Sequence, residues 1–268
     1  MFNDLFSIGP VTVHSYGVCT AVALISALLL ACKRAKNRGL SEDMVYGILF
    51  IGVIFGYLGS KITYVLVNWK YFIEDPKMFF SQSGWVVIGG LLGGILATYV
   101  YCKIKKQSFL EYFDLCVPSI AIAQGFGRIG CFMAGCCYGK ETDSFLGIAF
   151  HNSMYAPNDV KLIPTQLISS LGDFLNMAFL LILAQKTKKK GVVAGAYMIT
   201  YSIGRYIVEI FRDDLRGSIG VFSTSQFFSI LGLAGGVVFL LFALKRKEKE
   251  IATVVSEEEP EVSEDEEV

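Results

Sequence analysis

Residues 16–32, YGVCTAVALISALLLAC, form an apolar run without a single charged side chain. The run approaches the roughly 20 residues that a helix needs to cross the hydrocarbon core of a bilayer. No Lys or Arg precedes Lys33, so the run lacks the basic segment with which a cleaved signal peptide begins. We therefore expect residues 16–32 to remain in the protein as a membrane-spanning helix.

Six further apolar runs follow along the 268 residues of the chain. Apolar residues make up 53% of the sequence and the mean hydropathy is +0.52, whereas soluble domains have an apolar share of about 45–50%. The sequence predicts an all-α, polytopic integral membrane protein with about seven transmembrane helices. The predicted spans are Tyr16–Cys32, Met44–Val67, Trp85–Cys102, Tyr112–Cys131, Gln166–Ala184, Val192–Phe211 and Ile219–Leu244.

Basic residues are concentrated in every second connector, namely in residues 33–38, 103–106, 186–190 and 245–249. Alternate connectors of a helical membrane protein lie on the same side, and the side rich in Lys and Arg is cytoplasmic. We therefore expect the N-terminus outside and the C-terminus in the cytoplasm, as an odd number of spans requires.

The C-terminal end differs in composition from the rest of the chain. Residues 257–268 hold eight acidic residues and no basic one, so residues 1–256 carry 24 basic against 16 acidic side chains. Like charges and low hydrophobicity are typical of disorder. The sequence thus predicts a seven-helix membrane domain over residues 1–245 and an acidic, disordered cytoplasmic tail over residues 246–268.

Charged residues inside the sixth predicted span fall in the outer half of the membrane. With a rise of 1.5 Å per residue, Arg205 lies roughly 20 Å from the cytoplasmic start of that helix, and Glu209 lies one turn further. Their spacing lets them pair, and Arg212 lies on the same face. This arrangement is either a structural ion pair or part of a substrate path, because charges within spans usually mark function.

Arg128 reaches a similar level in the outward-running fourth span. It has no carboxylate at helical spacing in its own segment, so an anion from elsewhere, such as a ligand, is its natural partner. The glycines beside it, Gly127 and Gly130, leave backbone N–H groups accessible, and such groups bind phosphate in turns and at helix starts. A guanidinium matches phosphate oxygens, so this stretch predicts a pocket for a phospholipid head group.

Three cysteines follow Arg128, at positions 131, 136 and 137. Their C-x₄-C-C spacing matches no common zinc pattern, so we predict no metal site. They are either small buried residues or, on the outer side, partners in a disulfide. His14, just before the first span, is either an interfacial residue or a proton-transfer group.

With these residues placed, the chain resembles the bacterial prolipoprotein diacylglyceryl transferases over nearly all of residues 8–245. The segments that carry the resemblance are HSYG (14–17), GGLLGG (89–94), GRIG (127–130) with Gly139, PTQL (164–167), GRYIVEIFR (204–212) and STSQ (223–226). The resemblance implies a multi-pass protein of the bacterial plasma membrane with its active site toward the extracytoplasmic half.

The resemblance also implies the reaction and the partners. The sn-1,2-diacylglyceryl group of phosphatidylglycerol, a membrane lipid, would move to the lipobox cysteine thiol in the signal peptide of a preprolipoprotein, and glycerol phosphate would be released. Displacement of this kind needs no cofactor, and no nucleic acid takes part.

Site residues carry over position by position. The resemblance implies catalytic roles for Arg128, Arg205, Glu209, His14 and Tyr16. Helical rise also brings Gly89, Gly90, Gln166 and Gln226 near the level of Arg128 and Arg205. Together with this placement, the resemblance implies substrate-binding roles for Gly127, Gly130, Gly139, Gly89, Gly90, Gln166 and Gln226, although close helix packing is an alternative use of Gly89 and Gly90.

The chain departs from the family pattern at four places. Cys131 stands where Asn is typical, Cys136 where an acidic residue is usual, Ile88 where His is common, and Ile168 with Ser169 where Tyr-Glu is expected. These departures keep two alternatives open: a divergent paralogue that binds lipid or peptide without transfer, and a membrane thiol-disulfide protein.

Overall fold

A computed structural model of the chain describes residues 4–9, 11–80, 84–214 and 217–245. Each of the seven predicted helices is present as a helix, and a short helix, α3, follows the second. The helices are α1 (Ser15–Asn37), α2 (Glu42–Val67), α3 (Trp69–Glu74), α4 (Val87–Ile104), α5 (Phe109–Ala134), α6 (Thr165–Lys186), α7 (Val192–Ile210) and α8 (Thr224–Lys245). A 3₁₀ turn, Pro76–Phe80, lies between α3 and α4. The predicted acidic tail lies outside the described residues.

Six of these helices, α1, α2, α4, α5, α6 and α8, are long and apolar enough to cross a membrane. Helix α7 is not among them, and it is the helix that carries Arg205 and Glu209. Large apolar side chains such as Leu29, Phe50 and Phe242 are 65–71% exposed on the helix surfaces. Such surfaces suit a lipid environment rather than water.

Three short antiparallel strand pairs add to the predicted all-α architecture. They are β1 (Asp4–Ile8) with β2 (Val11–His14), β3 (Ile148–Ala149) with β4 (Lys161–Leu162), and β5 (Ser218–Ile219) with β6 (Phe222–Ser223). They precede α1, α6 and α8, so they lie at the helix ends opposite the basic connectors. The last predicted span, Ile219–Leu244, was too long at its start, because the β5–β6 pair occupies residues 218–223.

Helix α1 packs on α5 along a stripe of alanines four residues apart, Ala23, Ala27, Ala31 and Ala35, all buried. Small residues at this spacing let two helix backbones approach closely. Pro118 lies inside α5 and lacks the N–H that would donate to the carbonyl of Asp114. The buried Arg34 of α1 donates to that carbonyl instead, and to the carbonyl of Leu115. Pro118 is thereby accommodated within one continuous helix.

The carboxylate of Asp114 caps the start of α7. Its Oδ2 accepts from the N–H of Gly191 at 2.6 Å and its Oδ1 accepts from the N–H of Ala194 at 2.8 Å. The first N–H groups of a helix have no partner within the helix, and a negative charge there is favourable. Asp114 therefore joins α5 to α7 at the end of the molecule that carries the basic connectors.

Helices α2 and α4 approach each other closely because both contribute glycines to their contact. A Cβ added at Gly89 would lie 1.9 Å from Thr63 Oγ1 and 2.5 Å from the carbonyl oxygen of Gly59, and one at Gly90 would lie 2.9 Å from the carbonyl oxygen of Gly56. Any larger residue would push the two backbones apart. The GGLLGG segment thus serves close helix packing in this structure.

Candidate functional site

A cavity lies between α5, α6 and α7, and two arginines from different helices line it. Arg128 comes from α5 and Arg205 from α7. The remaining lining residues are Ile168, Ser169, Gly172, Asp173, Asn176, Thr200, Tyr201, Gly204 and Val208. The structure therefore brings the two predicted arginines to one cavity. It also places Ile168 and Ser169, which together form one of the four departures from the family pattern, on the cavity wall.

Arg205 is held in place by α7 itself and by the start of α8. Its Nη2 lies 2.9 Å from Glu209 Oε2 and donates to Ser225 Oγ at 2.8 Å. Glu209 in turn accepts from Ser223 Oγ through Oε1 at 2.9 Å. The predicted pairing of Arg205 with Glu209 is present, and it is one part of a network that spans two helices.

The segment STSQ forms a reciprocal cap at the start of α8. Ser223 Oγ accepts from the N–H of Gln226 at 3.1 Å, and Gln226 Oε1 accepts from the N–H of Ser223 at 3.0 Å. This is the capping-box arrangement, which satisfies two backbone donors at a helix start. Gln226 therefore contacts Ser223, the hydrogen-bond partner of Glu209, and does not line the cavity described above.

Both arginines retain hydrogen-bonding capacity. The Nη1 of Arg205 is buried and finds no hydrogen-bond partner among the described residues. Arg128 forms neither a salt bridge nor a hydrogen bond with any residue in the described ranges. A buried donor without a partner is unfavourable by about 1–3 kcal/mol, so the cavity is suited to an anion with several acceptor oxygens.

Asp173 of α6 is a member of this site that the sequence analysis missed. It is 9% exposed and lines the cavity together with both arginines. It also lies within electrostatic range of both guanidinium groups. A carboxylate inside the predicted span Gln166–Ala184 was the signal that could have identified it, because charges within spans are rare.

A third arginine, Arg212, follows α7 and is also paired. Its Nε and Nη2 donate to the two carboxylate oxygens of Asp214 at 2.9 and 3.0 Å. Burial alone would lower the pKa of Arg212, but the hydrogen bonds with Asp214 and the neighbouring Cys137 raise the pKa above its usual value. Arg128, Arg205 and Arg212 are thus matched in number by Asp173, Glu209 and Asp214.

The loop after α5 turns sharply and is held by hydrogen bonds from the start of α6. Gly135 ends α5 with a φ of 73°, and Cys137 has a φ of 64°, in the left-handed region that residues other than glycine rarely adopt. The carbonyl of Cys136 accepts from Gln166 Nε2 at 2.7 Å, and that of Cys137 accepts from Thr165 Oγ1 at 2.8 Å. The buried start of α6 thus fixes the loop.

Gly139 lies in the same loop and pairs with Arg212 in an isolated antiparallel bridge. A Cβ at Gly139 would lie 2.6 Å from the carbonyl oxygen of Ile163. The glycine that ends the GRIG motif is therefore required by the close approach of two backbone segments, and it packs rather than lines the cavity.

The loop brings three thiols together. The Sγ atoms of Cys131, Cys136 and Cys137 all lie within 4.8 Å of one another, and all three cysteines are free thiols. Hydrogen bonds with the thiols of Cys131 and Cys136, together with the guanidinium of Arg212, lower the pKa of the Cys137 thiol. The disulfide considered from the sequence is not formed in this structure.

The other predicted site residues lie away from the cavity wall. His14 is exposed and is the last residue of β2, directly before α1. Tyr16 is 48% exposed and packs beside Gly130, where an added Cβ would come within 3.1 Å of its ring. A Cβ at Gly127 would have no atom within 4 Å, so that face of α5 is open.

The chain is similar in sequence to a known family of proteins. A family model described as prolipoprotein diacylglyceryl transferase matches residues 3–242. The chain is 43% identical over 234 residues to the phosphatidylglycerol–prolipoprotein diacylglyceryl transferase of Clostridium tetani, covering 87% of this chain and 94% of that protein. It is 47% identical over 229 residues to phosphatidylglycerol–prolipoprotein diacylglyceryl transferase 2 of Clostridium perfringens, covering 84% and 89%. The corresponding protein of Clostridioides difficile is 33% identical over 249 residues, covering 92% and 97%.

Proposed function

Because this chain belongs to the prolipoprotein diacylglyceryl transferase family, we propose that it transfers the sn-1,2-diacylglyceryl group of phosphatidylglycerol to the lipobox cysteine thiol of preprolipoproteins. Glycerol phosphate is the second product. The observation that carries the proposal is the pair of guanidinium groups, Arg128 and Arg205, at one cavity between α5, α6 and α7.

The chain is a multi-pass membrane protein, and we propose that α7 is its seventh span. The N-terminus is then outside, and residues 246–268 form a cytoplasmic tail behind the domain formed by residues 1–245. Support comes from the basic connectors, since Arg38 and the lysines of the α6–α7 connector line one surface depression at the same end of the molecule. Arg205 lies thirteen residues beyond the start of α7, about 20 Å from that end, so the site belongs to the extracytoplasmic half of a bacterial plasma membrane.

The reaction is a displacement at the glyceryl carbon that bears the phosphate. The peptide thiolate forms the new C–S bond while the C–O bond to phosphate breaks, and the electron pair leaves with glycerol phosphate. Negative charge therefore grows on the phosphate oxygens, and fixed cations in a site shielded from water stabilise it effectively. Arg128 and the Nη1 of Arg205 bind these oxygens in the proposed mechanism.

Glu209 acts as a positioning residue in this mechanism. Its carboxylate fixes one edge of the Arg205 guanidinium and leaves Nη1 for the substrate. Asp173 balances the positive charge of the two arginines while the cavity holds no lipid. We assign His14 and Tyr16, which packs beside Gly130, to the path of the peptide, and Gly127, whose face of α5 is open, to the path of the lipid.

A transfer assay tests the proposal. Purified full-length protein is incubated with phosphatidylglycerol carrying a labelled acyl chain and with a lipobox peptide, and labelled peptide is measured. We expect Arg128→Ala and Arg205→Ala each to lower the rate by about 100-fold or more, while Lys36→Ala, which removes an exposed cation at the cytoplasmic end, leaves it unchanged.

Two results would overturn the proposal. Full activity of both arginine variants would remove the phosphate-binding assignment. Wild-type protein that binds phosphatidylglycerol but never transfers its diacylglyceryl group would support the alternative of a binding paralogue.

A further inference from the structure

The three thiols beside Arg128 have the geometry of a set of metal ligands. In a tetrahedral zinc site with Zn–S bonds of about 2.3 Å, neighbouring sulfur atoms lie about 3.8 Å apart. The Sγ atoms of Cys131, Cys136 and Cys137 all lie within 4.8 Å of one another, so a small rotation of each side chain suffices to bind one ion. The spacing of the cysteines in the sequence did not indicate this proximity, because it arises from the turn at Gly135, which brings the thiols of the loop back onto the end of α5.

The cluster is held in place before any ion binds. Cys131 belongs to α5, while the carbonyl groups of Cys136 and Cys137 accept hydrogen bonds from Gln166 and Thr165, both 1% exposed. Cys137 adopts a left-handed backbone conformation, which costs free energy and persists only where the surrounding structure enforces it. The loop is thus built to hold these thiols in one arrangement, as the supporting contacts of metal sites do.

The charges around the cluster also suit a metal thiolate. Three thiolates and one divalent cation carry a net charge of −1, and Arg212 interacts directly with Cys137 through its guanidinium. Arg128 lies within electrostatic range of Cys131 and Cys137. Soft thiolate ligands favour Zn²⁺ over Mg²⁺ or Ca²⁺, and a set of three protein ligands leaves the fourth position of zinc to water or substrate.

We propose that Cys131, Cys136 and Cys137 bind one Zn²⁺ ion as thiolates, and that the thiol of the peptide substrate becomes its fourth ligand. The assignment of the fourth ligand rests on the proposed transferase function, whereas the site formed by the three cysteines does not. Binding of Zn²⁺ releases the three cysteine protons to water, and binding of the peptide thiol releases one more.

The bound ion supplies a means to ionise the attacking group. That group must be a thiolate, and neither His14 nor His151 lies on the wall of the cavity to accept its proton. A thiol that coordinates Zn²⁺ loses its proton outright. After the C–S bond forms, the sulfur is a neutral thioether, a weak ligand for zinc, so water replaces the lipidated product.

Metal content is the first test. Full-length protein purified in detergent under reducing conditions is loaded with Zn²⁺ alone, freed of excess ion and analysed by mass spectrometry. We expect one Zn²⁺ per chain in the wild type and in Cys32→Ser, and less than a tenth of that in a variant with all three cluster cysteines changed to serine.

Cobalt substitution tests the ligands directly. Co²⁺ bound by three thiolates produces intense sulfur-to-cobalt charge-transfer absorption, which should fall by about one third in each single serine variant that still binds the ion. Three results would rule out the proposed zinc site. These are a wild-type protein that binds no stoichiometric metal, a triple serine variant that binds as much metal as the wild type, and a disulfide that forms within the cluster under reducing conditions.

The fourth ligand is tested in the Co²⁺-loaded Arg128→Ala variant, in which the proposed transfer is blocked. A lipobox peptide should increase the charge-transfer absorption, and a matched peptide with Ser in place of the lipobox Cys should not. An unchanged spectrum with both peptides would overturn the fourth-ligand assignment. Because this readout involves no transfer, a failure of the proposed function is distinguishable from a failure of the metal site.

Discussion

Ser223, the residue before α8, donates its hydroxyl to Oε1 of Glu209 in α7 at 2.9 Å. The other carboxylate oxygen of Glu209 faces Arg205 at the same distance. One serine therefore links the cap of α8 to the residue that orients the arginine of the cavity.

This link predicts that Ser223→Ala impairs both stability and transfer. A hydrogen bond to a charged group contributes about 1.5–3 kcal/mol, so kcat/KM should fall roughly tenfold or more, and loss of the cap should lower the free energy of unfolding by about 1 kcal/mol. Gln226→Ala is the matched control, because it breaks the same capping box but keeps the Ser223–Glu209 bond. Equal losses of activity in both variants would contradict the link.

Asp173→Asn removes the negative charge that faces Arg128 and Arg205. The cavity then becomes more positive, so glycerol phosphate should bind more tightly. We expect its inhibition constant in the transfer assay to fall about tenfold, which corresponds to ~1.4 kcal/mol. Weaker inhibition would mean that Asp173 contacts the glycerol hydroxyls instead. Asn176→Asp adds a carboxylate to the same wall and should shift the constant in the opposite direction.

Two glycines assigned to the site from the sequence should respond differently to alanine. A side chain at Gly89 meets Thr63 and the backbone of α2, so Gly89→Ala should lower the midpoint of thermal unfolding and the yield of folded protein. Gly127 faces open space, so Gly127→Ala should fold normally and raise the KM for phosphatidylglycerol if the lipid passes this face. Detergent-solubilised protein monitored by circular dichroism separates the two effects, and equal thermal stability of the variants would refute this reading of α2–α4 packing.

Asp114→Ala leaves two backbone N–H groups at the start of α7 without their acceptor. Each buried donor without a partner is unfavourable by about 1–3 kcal/mol, so the thermal midpoint should fall by several degrees. The site lies at the opposite end of α7, so activity per folded molecule should change little. A fall in kcat at unchanged stability would show that Asp114 acts on the cavity. Glu111→Ala, which removes a partly exposed carboxylate one turn earlier and its 2.7 Å ion pair with Lys190, serves as the comparison.

The sequence predicted the helices well, because lipid forces each spanning segment to satisfy its own backbone and so requires long apolar runs. The rise per residue of a helix also predicted that Arg128 and Arg205 lie at a similar depth in the membrane. In the structure, both arginines line the same cavity. The sequence analysis missed Asp173, whose position opposite both arginines depends on how α6 packs between α5 and α7. The strand pairs β3–β4 and β5–β6 were equally hidden, because strands of two residues are too short for a sequence pattern, and the β1–β2 pair before the first apolar run was also not predicted.

The thiol cluster illustrates the same limit. Positions 131, 136 and 137 show no ligand spacing, and only the left-handed conformations at Gly135 and Cys137 bring their sulfur atoms together. Gly139 and Gln166 were selected as binding residues, whereas in the structure they hold the loop, a role that depends on tertiary contacts absent from local sequence.

Helix α7 carries Arg205 and Glu209 and is the one long helix of the described chain that falls short of the hydropathy of a span, while its neighbour α8 is the most apolar of the six candidates. During synthesis, α7 alone would therefore partition poorly into the bilayer. The hairpin of α7 and α8 should insert as a unit, with α8 supplying the driving force. A chain that stops before residue 224 is expected to leave Arg205 outside the membrane and to be degraded.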